Sequence, residues 1–194
     1  GCLFVKLLKR RVPLLYILML ECWYSKTVIC VRWGDVLSDR VRLVSGVRQG
    51  GILSPNFFAV YVDDLLVKLS NSKFGCKIRG IFVGAFMYAD DLILLSASVA
   101  DLQKMVELCA CELVNIDMIV NTSKTMCLRI GPCYKNVCAE IVLFQQRLRW
   151  VSVIRYLGVF LVSYSVFKLC LDEARRKFFN ASNSILSKVG TQQF

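Results

Sequence analysis

The chain has 194 residues, 25 Lys and Arg against 14 Asp and Glu, a formal net charge of +11, and no histidine. That length carries one domain with a real core, or one domain and part of another. The positive balance suits a polyanion such as nucleic acid, although a merely basic protein would share it, and the missing histidine excludes His-based acid–base catalysis and mixed Cys/His zinc sites.

Ten cysteines are many, yet no Cys-x-x-Cys pair occurs and Cys109-x-Cys111 alone is no zinc knuckle. They are expected to be reduced and mostly buried as small hydrophobes in an intracellular protein. The mean hydropathy of +0.55 raises the question of a membrane. The longest apolar run, Val12 to Leu20, contains Pro13 and stops at Glu21. It is far short of the ~18 residues a spanning helix needs. Lys9-Arg10-Arg11 before it imitates a signal peptide, but no small-residue cleavage site follows. The run is expected to be a buried helix, and no membrane partner is expected.

In chain order the pattern predicts a helix around Val12 to Tyr24 and a strand from Thr27 to Trp33. A turn follows at Gly34-Asp35, then an extended segment through Arg42-Leu43-Val44. Ser54-Pro55 reads as N-cap and first helical position. Beyond it Phe57, Phe58, Tyr61, Leu65, Leu66 and Leu69 recur at helical spacing. Tyr61-Val62-Asp63-Asp64 therefore places its two acids on the polar side of a helix of about five turns. Ser98-Val99-Ala100-Asp101 resembles a capping box opening a helix to about Val114, with Leu102, Met105, Val106, Cys109 and Leu113 inward. Met126 to Ile130 reads as a strand. Trp150 to Val162 reads as an extended pair turning near Gly158, and Val166 to Lys188 as a basic helix. The fold class expected is α+β, an antiparallel sheet with helices packed on one face.

Tyr88-Ala89-Asp90-Asp91 is the centre of the reading. It lies between the apolar runs Ile81 to Met87 and Leu92 to Leu95, which predict paired strands with the acids at their turn. Two carboxylates on a rigid sheet suit Mg²⁺, which takes hard oxygen ligands and substrate phosphates. A second chemical feature runs from Ser45 to Pro55. Gly50 and Gly51 remove Cβ atoms where a backbone must approach a ligand. Gln49 offers donor and acceptor to a base or sugar edge, and Arg48 can meet a phosphate. The helix beyond Ser54-Pro55 turns its positive end to the same place. An ordinary loop-to-helix connection would use the same residues.

Together these strings are specific. Ser45 to Phe58 resembles the Gly-x-x-Gln-Gly-x-x-x-Ser-Pro segment of reverse transcriptases, and Phe86 to Asp91 resembles their Tyr-x-Asp-Asp box. Asn121-Thr122-Ser123-Lys124-Thr125 is similar to the Asn-x-x-Lys-Thr element of that family, and Arg155 to Val159 to its primer-grip hairpin. With Trp23-Tyr24 and Val31-Arg32-Trp33-Gly34, the match most resembles non-LTR (LINE-type) retrotransposon enzymes. Group II intron maturases are the nearest alternative, and a catalytically dead nucleic-acid-binding remnant is the rival outside the enzymes.

The resemblance implies an RNA-directed DNA polymerase fragment using Mg²⁺ or Mn²⁺, with RNA template, DNA primer and dNTP as partners, in the nucleus and cytoplasm. Asp90 and Asp91 would be the metal ligands. Arg48, Gln49, Gly50, Gly51 and Tyr88 would bind nucleotide and template, and Lys124 would give a proton to the pyrophosphate leaving group. Tyr156, Leu157 and Gly158 would grip the primer, and Arg175, Arg176, Lys177 and Lys188 would meet duplex phosphates. Residues 1–162 would be a partial palm, and 163–194 the beginning of a thumb. One departure stands against these matches. The family's earlier catalytic Asp strand has no counterpart before Tyr24, and Asp35 and Asp39 fall in a turn region. The chain is therefore expected to be a fragment without fingers that does not polymerise alone.

Overall fold

Pro13 divides the start of the chain into two helices, because a proline ring fixes φ and removes a donor. α1 (Cys2–Lys9) precedes it, and α2 (Leu14–Ser25) follows with Pro13 as its cap residue at φ −56°. The computed structural model describes residues 2–43, Gly46 and 50–189. They fall into two compact units, Gly1–Ile119 and Val120–Phe194.

In the first unit, Leu7 and Ile17 close on Phe57 of α3 (Ser54–Asn71), with Phe4, Leu20 and Tyr24 around them. α2 is not the buried helix expected. Only Ile17 is buried, and Leu15 is 67% exposed. The helix is apolar on every side, but one face alone meets a neighbour. The strand expected from Thr27 to Trp33 is two short pieces. β1 (Val28–Ile29) pairs with β4 (Val41–Arg42) and encloses the hairpin of β2 (Arg32–Trp33) and β3 (Val36–Leu37), turning at Gly34-Asp35. The break comes at Val31, whose N–H donates to Ser38 Oγ while its carbonyl accepts from Ser38 N–H, both at 2.9 Å. Val44 lies outside the described residues.

α3 buries Phe57, Val62, Leu65 and Leu69. Ser54 is not its N-cap. Leu53 holds that position, its carbonyl accepting from Phe57 N–H at 2.9 Å, and Ser54 is the buried first residue of the helix. Two hairpins follow, β5 (Lys77–Ile78) with β6 (Ile81–Phe82), and β7 (Ala85–Tyr88) with β8 (Asp91–Leu94). They are tied where Leu95 N–H donates to Gly84 at 2.7 Å and Cys76 N–H to Leu95 at 3.0 Å. α4 (Val99–Val114) starts at Ser98, whose Oγ accepts from Asp101 N–H, and buries Met105, Val106, Cys109, Ala110 and Leu113. α3 packs against β7 and α4 against β8, so two helices brace the Asp90-Asp91 hairpin.

In the second unit, β9 (Met126–Leu128) pairs with β12 (Arg149–Val151), and the pair is parallel, contrary to the antiparallel expectation. β10 (Val142–Leu143) and β11 (Gln146–Arg147) form a hairpin in between. β13 (Val153–Tyr156), β14 (Val159–Val162) and β15 (Lys168–Cys170) make an antiparallel sheet. β15 takes residues expected to be helical, because Lys168 to Cys170 find ladder partners in Phe160 to Val162. α5 (Asp172–Val189) then runs with no buried residue. The chain is thus a mixture of helices and small, mainly antiparallel sheets.

Among the described residues, the burial expected of the cysteines holds only for Cys109 and Cys127. Cys22, Cys30, Cys111 and Cys133 are exposed, since they lie on the open faces of helices and in short connections, and all the described thiols are free. Burial pushes Cys109 up to about 12. Among the described residues no helix is long and apolar enough to cross a membrane.

Candidate functional site

β7 and β8 reverse through two residues, Ala89 and Asp90, between the paired ends Tyr88 and Asp91. Ala89 has φ +51°. A positive φ at the first central residue is the sign pattern of a type II′ turn, where glycine is normally required. Alanine there is strained by about 1–2 kcal/mol, and the ladder around it holds the conformation. The turn brings Tyr88, Asp90 and Asp91 to one exposed tip, with Tyr88 itself 64% exposed. Direct cross-strand partners share a face, so Tyr88 stands beside Asp91.

Neither the Asp90 nor the Asp91 carboxylate has a hydrogen bond or ion pair among the described residues. Two free carboxylates, anchored by a braced hairpin and open to solvent, are donors of the type a hard divalent ion takes. Together they would supply two oxygen ligands of such an ion. Among the described residues no group of three Asp, Glu, Cys or His stands ready to hold an ion.

The other doublet is chemically occupied. Lys6 Nζ lies 2.9 Å from Asp64 Oδ2 and donates to the Tyr61 carbonyl at 2.6 Å, while Arg10 pairs with Asp63. Lys6 also stands over the Tyr61 ring at 5.6 Å, and Tyr61 Oη donates to the Ile116 carbonyl at 2.6 Å. The hydrogen bond from Lys6 holds the Asp64 carboxyl below its ordinary range. Asp63 and Asp64 do lie on a helix, as the spacing predicts, but they clamp α3 to α1. Sequence reasoning missed this role, since Lys6 and Arg10, on and just after α1, stand more than fifty residues from their partners.

The remaining residues fall in separate places. Gly50 has φ +78° and, among the described residues, no atom within 4 Å of where a Cβ would stand, and the Gly51 carbonyl accepts from Ser54 N–H at 3.1 Å. Arg48 and Gln49 lie outside the described residues. In the second unit, Lys124 is exposed in a turn organised by Asn121. The Asn121 side chain accepts from Lys124 N–H at 3.1 Å and from Ser123 Oγ at 2.7 Å, and its carbonyl accepts from Thr125 Oγ1 at 2.8 Å. Tyr156, Leu157 and Gly158 form the β13–β14 turn, where Leu157 and Gly158 have φ of +47° and +85°. Two successive positive values make this a type I′ turn, and Leu157 is 52% exposed at its tip. On α5, Lys177 Nζ sits 2.6 Å from Glu173, which lowers the Glu173 pKa; Arg175 and Arg176 are exposed beside it.

A braced hairpin with two uncommitted acids, in a basic chain of helices and small sheets, is compatible with an α+β polymerase fragment. Residues 7–161 match the model of the reverse transcriptase (RNA-dependent DNA polymerase) family, and the chain belongs to that family. A domain of this kind implies binding to RNA template, primer and nucleotides. No curated protein matches the chain.

Proposed function

We propose that the chain is the palm and the start of the thumb of a non-LTR (LINE-type) retrotransposon reverse transcriptase, with residues 1–162 and 163–194 in those roles. The observation that carries the reading is the contrast between the two acidic doublets: Asp90 and Asp91 are exposed and unpaired on the hairpin tip, whereas Asp63 and Asp64 are ion-paired. Asp90 and Asp91 would hold a divalent ion, which when bound supplies charge neutralisation at the phosphates and activation of the primer hydroxyl.

The chain's own residues do the rest. Tyr88, beside Asp91, offers a ring and hydroxyl to the nucleotide. Gly50 and Gly51 leave a backbone surface without Cβ atoms ahead of α3, and Gln49 and Arg48 add polar contacts to template and nucleotide. The exposed Lys124 ammonium is a proton source for a phosphate leaving group. The Tyr156-Leu157-Gly158 turn presents an apolar tip and backbone amides to a primer end, and the Arg175-Arg176-Lys177 stretch meets phosphates. With two carboxylates the ion is held weakly, so residues 1–194 alone are expected to give negligible synthesis with Mg²⁺ in primer extension. An intracellular protein acting in nucleus and cytoplasm follows from this reading.

Iron-directed cleavage tests it. Fe²⁺ in place of Mg²⁺, with ascorbate and peroxide, should cut the backbone near residues 88–92, and Asp90→Asn with Asp91→Asn should remove the cut. Cleavage at Asp63-Asp64, or none above background, would refute the assignment.

A further inference from the structure

Outside the candidate site, the second unit carries a cluster of sulfur and guanidinium that nothing above uses. Cys127 lies in the middle of β9, buried, directly beside Trp150 of β12 in the parallel register. Neighbouring partners in a ladder project to the same face, and residues two apart along a strand do so too. Cys127 and Trp150 are therefore directed to one side, and Arg129 follows directly after β9. The segment from Asn136 to Ala139 crosses that side. Arg129 Nη1 donates to the Asn136 carbonyl at 3.2 Å and to Cys138 Sγ at 3.1 Å. Trp150 Nε1 donates to the Ala139 carbonyl at 3.1 Å. The strap is pinned on both flanks of Cys138, over the strand that carries Cys127. Burial, and then the neighbouring Cys138, push the Cys127 thiol up to about 11.

We propose that Cys138 and Cys127 form a peroxide-sensitive dithiol, with Cys138 as the oxidised sulfur and Cys127 as the resolving one. Cys138 is partly exposed, so a small oxidant reaches it; Cys127 is shielded. The Arg129 guanidinium faces the Cys138 sulfur and supports negative charge on it during attack. In the first step that sulfur attacks hydrogen peroxide, the O–O bond breaks, the departing oxygen leaves as water after taking a proton, and a sulfenic acid remains. In the second, the Cys127 sulfur attacks the Cys138 sulfur, the S–O bond breaks, and a second water carries off the hydroxyl and the Cys127 proton. Overall two thiols are oxidised to one disulfide and one peroxide is reduced to two waters. The bond would fasten the 136–139 strap to β9, two residues beyond the Lys124 turn. Cys133, exposed at the far end of the loop, is the competing partner.

Trypsin separates the three thiols, because Lys124, Arg129, Lys135 and Arg147 bound peptides 125–129, 130–135 and 136–147. The full chain is treated with one equivalent of hydrogen peroxide, alkylated, digested without reductant and mapped by mass spectrometry. The expected product is a disulfide joining 125–129 to 136–147, lost when the chain is oxidised in 8 M urea in favour of mixed pairings. Arg129→Gln should slow iodoacetamide labelling of peptide 136–147 severalfold while Cys127, which shares peptide 125–135 with Cys133 in that variant and is told apart by fragmentation, remains protected. If Cys127 becomes reactive too, that variant has opened, and the wild-type map decides alone. A disulfide from 130–135 to 136–147, or Cys138 oxidised past the sulfenic stage with Cys127 untouched, would overturn the proposal.

Discussion

Replacing each acidic doublet by asparagines should separate folding from ligand binding. In Asp63→Asn/Asp64→Asn, the nearly buried Lys6 ammonium, with 9% of its side chain exposed, loses its carboxylate and keeps the Tyr61 carbonyl and ring. A hydrogen bond to a charged group is worth about 1.5–3 kcal/mol. Asp64 is 59% exposed, so water screens the pair and the lower end applies. Arg10 and Asp63 are each nearly half-exposed, and such a pair adds roughly 0.5 kcal/mol. The double variant should lose about 2 kcal/mol, which for a chain of this size lowers Tm by roughly 4–8 °C. Asp90→Asn/Asp91→Asn breaks no ion pair and removes repulsion between adjacent acids, so its stability should stay within about 0.5 kcal/mol of the parent. Mn²⁺ titration followed by electron paramagnetic resonance reads the other half. Binding should persist in the first variant and vanish in the second. If both doublets cost the same stability, or if Mn²⁺ binding followed Asp63-Asp64, the division of labour between them would be refuted.

Other outcomes follow from single residues. Ala89→Gly relieves the left-handed strain at φ +51° but adds unfolded-state freedom of about 0.4–1 kcal/mol; a net gain of roughly 0.5–1 kcal/mol in urea melts is expected. Gly84→Ala should cost about 1–3 kcal/mol by overpacking, since a Cβ there would stand 2.6 Å from the Phe82 ring and 3.0 Å from the Cys76 amide. Asp64, with its folded pKa lowered below 3.8, contributes stability that is fully present above that pH and is lost as pH falls through the lower folded value. The stability gap between the parent and Asp64→Asn, measured by denaturant melts, should therefore be constant from pH 7 to about 5 and close progressively below about 4.

How much of this could be read without coordinates depends on the range over which each signal acts. The inward face of α4 is written locally, by Ser98 at the cap and Met105, Val106, Cys109 and Leu113 at helical spacing, and it packs that way. The turns at Gly34-Asp35 and near Gly158 were equally legible, because each carries a glycine at a positive φ. Failures came where a distant partner decides. The exposure of α2 depends on how many neighbours reach an all-apolar helix, and no periodicity encodes that. The parallel pairing of β9 with β12 joins residues more than twenty apart, with an intervening hairpin. Lys168 to Cys170 look like the beginning of a basic helix until β14 supplies a ladder. The acidic hairpin was legible because a turn and its flanks lie within ten residues. What the letters did not reveal was the ion-pairing of Asp63 and Asp64, for their cations stand more than fifty residues earlier.

The same four-letter pattern, Tyr-x-Asp-Asp, occurs twice in this chain with opposite consequences, and the cause is backbone shape. On α3 the acids at adjacent positions point sideways from a helix, within reach of Lys6 and Arg10 on and just after α1. Their negative charge is neutralised by the protein itself, and recruiting them to an ion would mean breaking contacts that hold two helices together. At the β7–β8 turn the chain reverses within two residues, and no basic side chain reaches the tip among the described residues. The uncompensated charge there is a standing electrostatic cost, tolerated because water solvates it and because α3 and α4 brace the strands behind it. A bound cation removes that cost. The doublet proposed to bind an ion is therefore the one the fold leaves unsatisfied, at a turn that begins with the positive φ of Ala89.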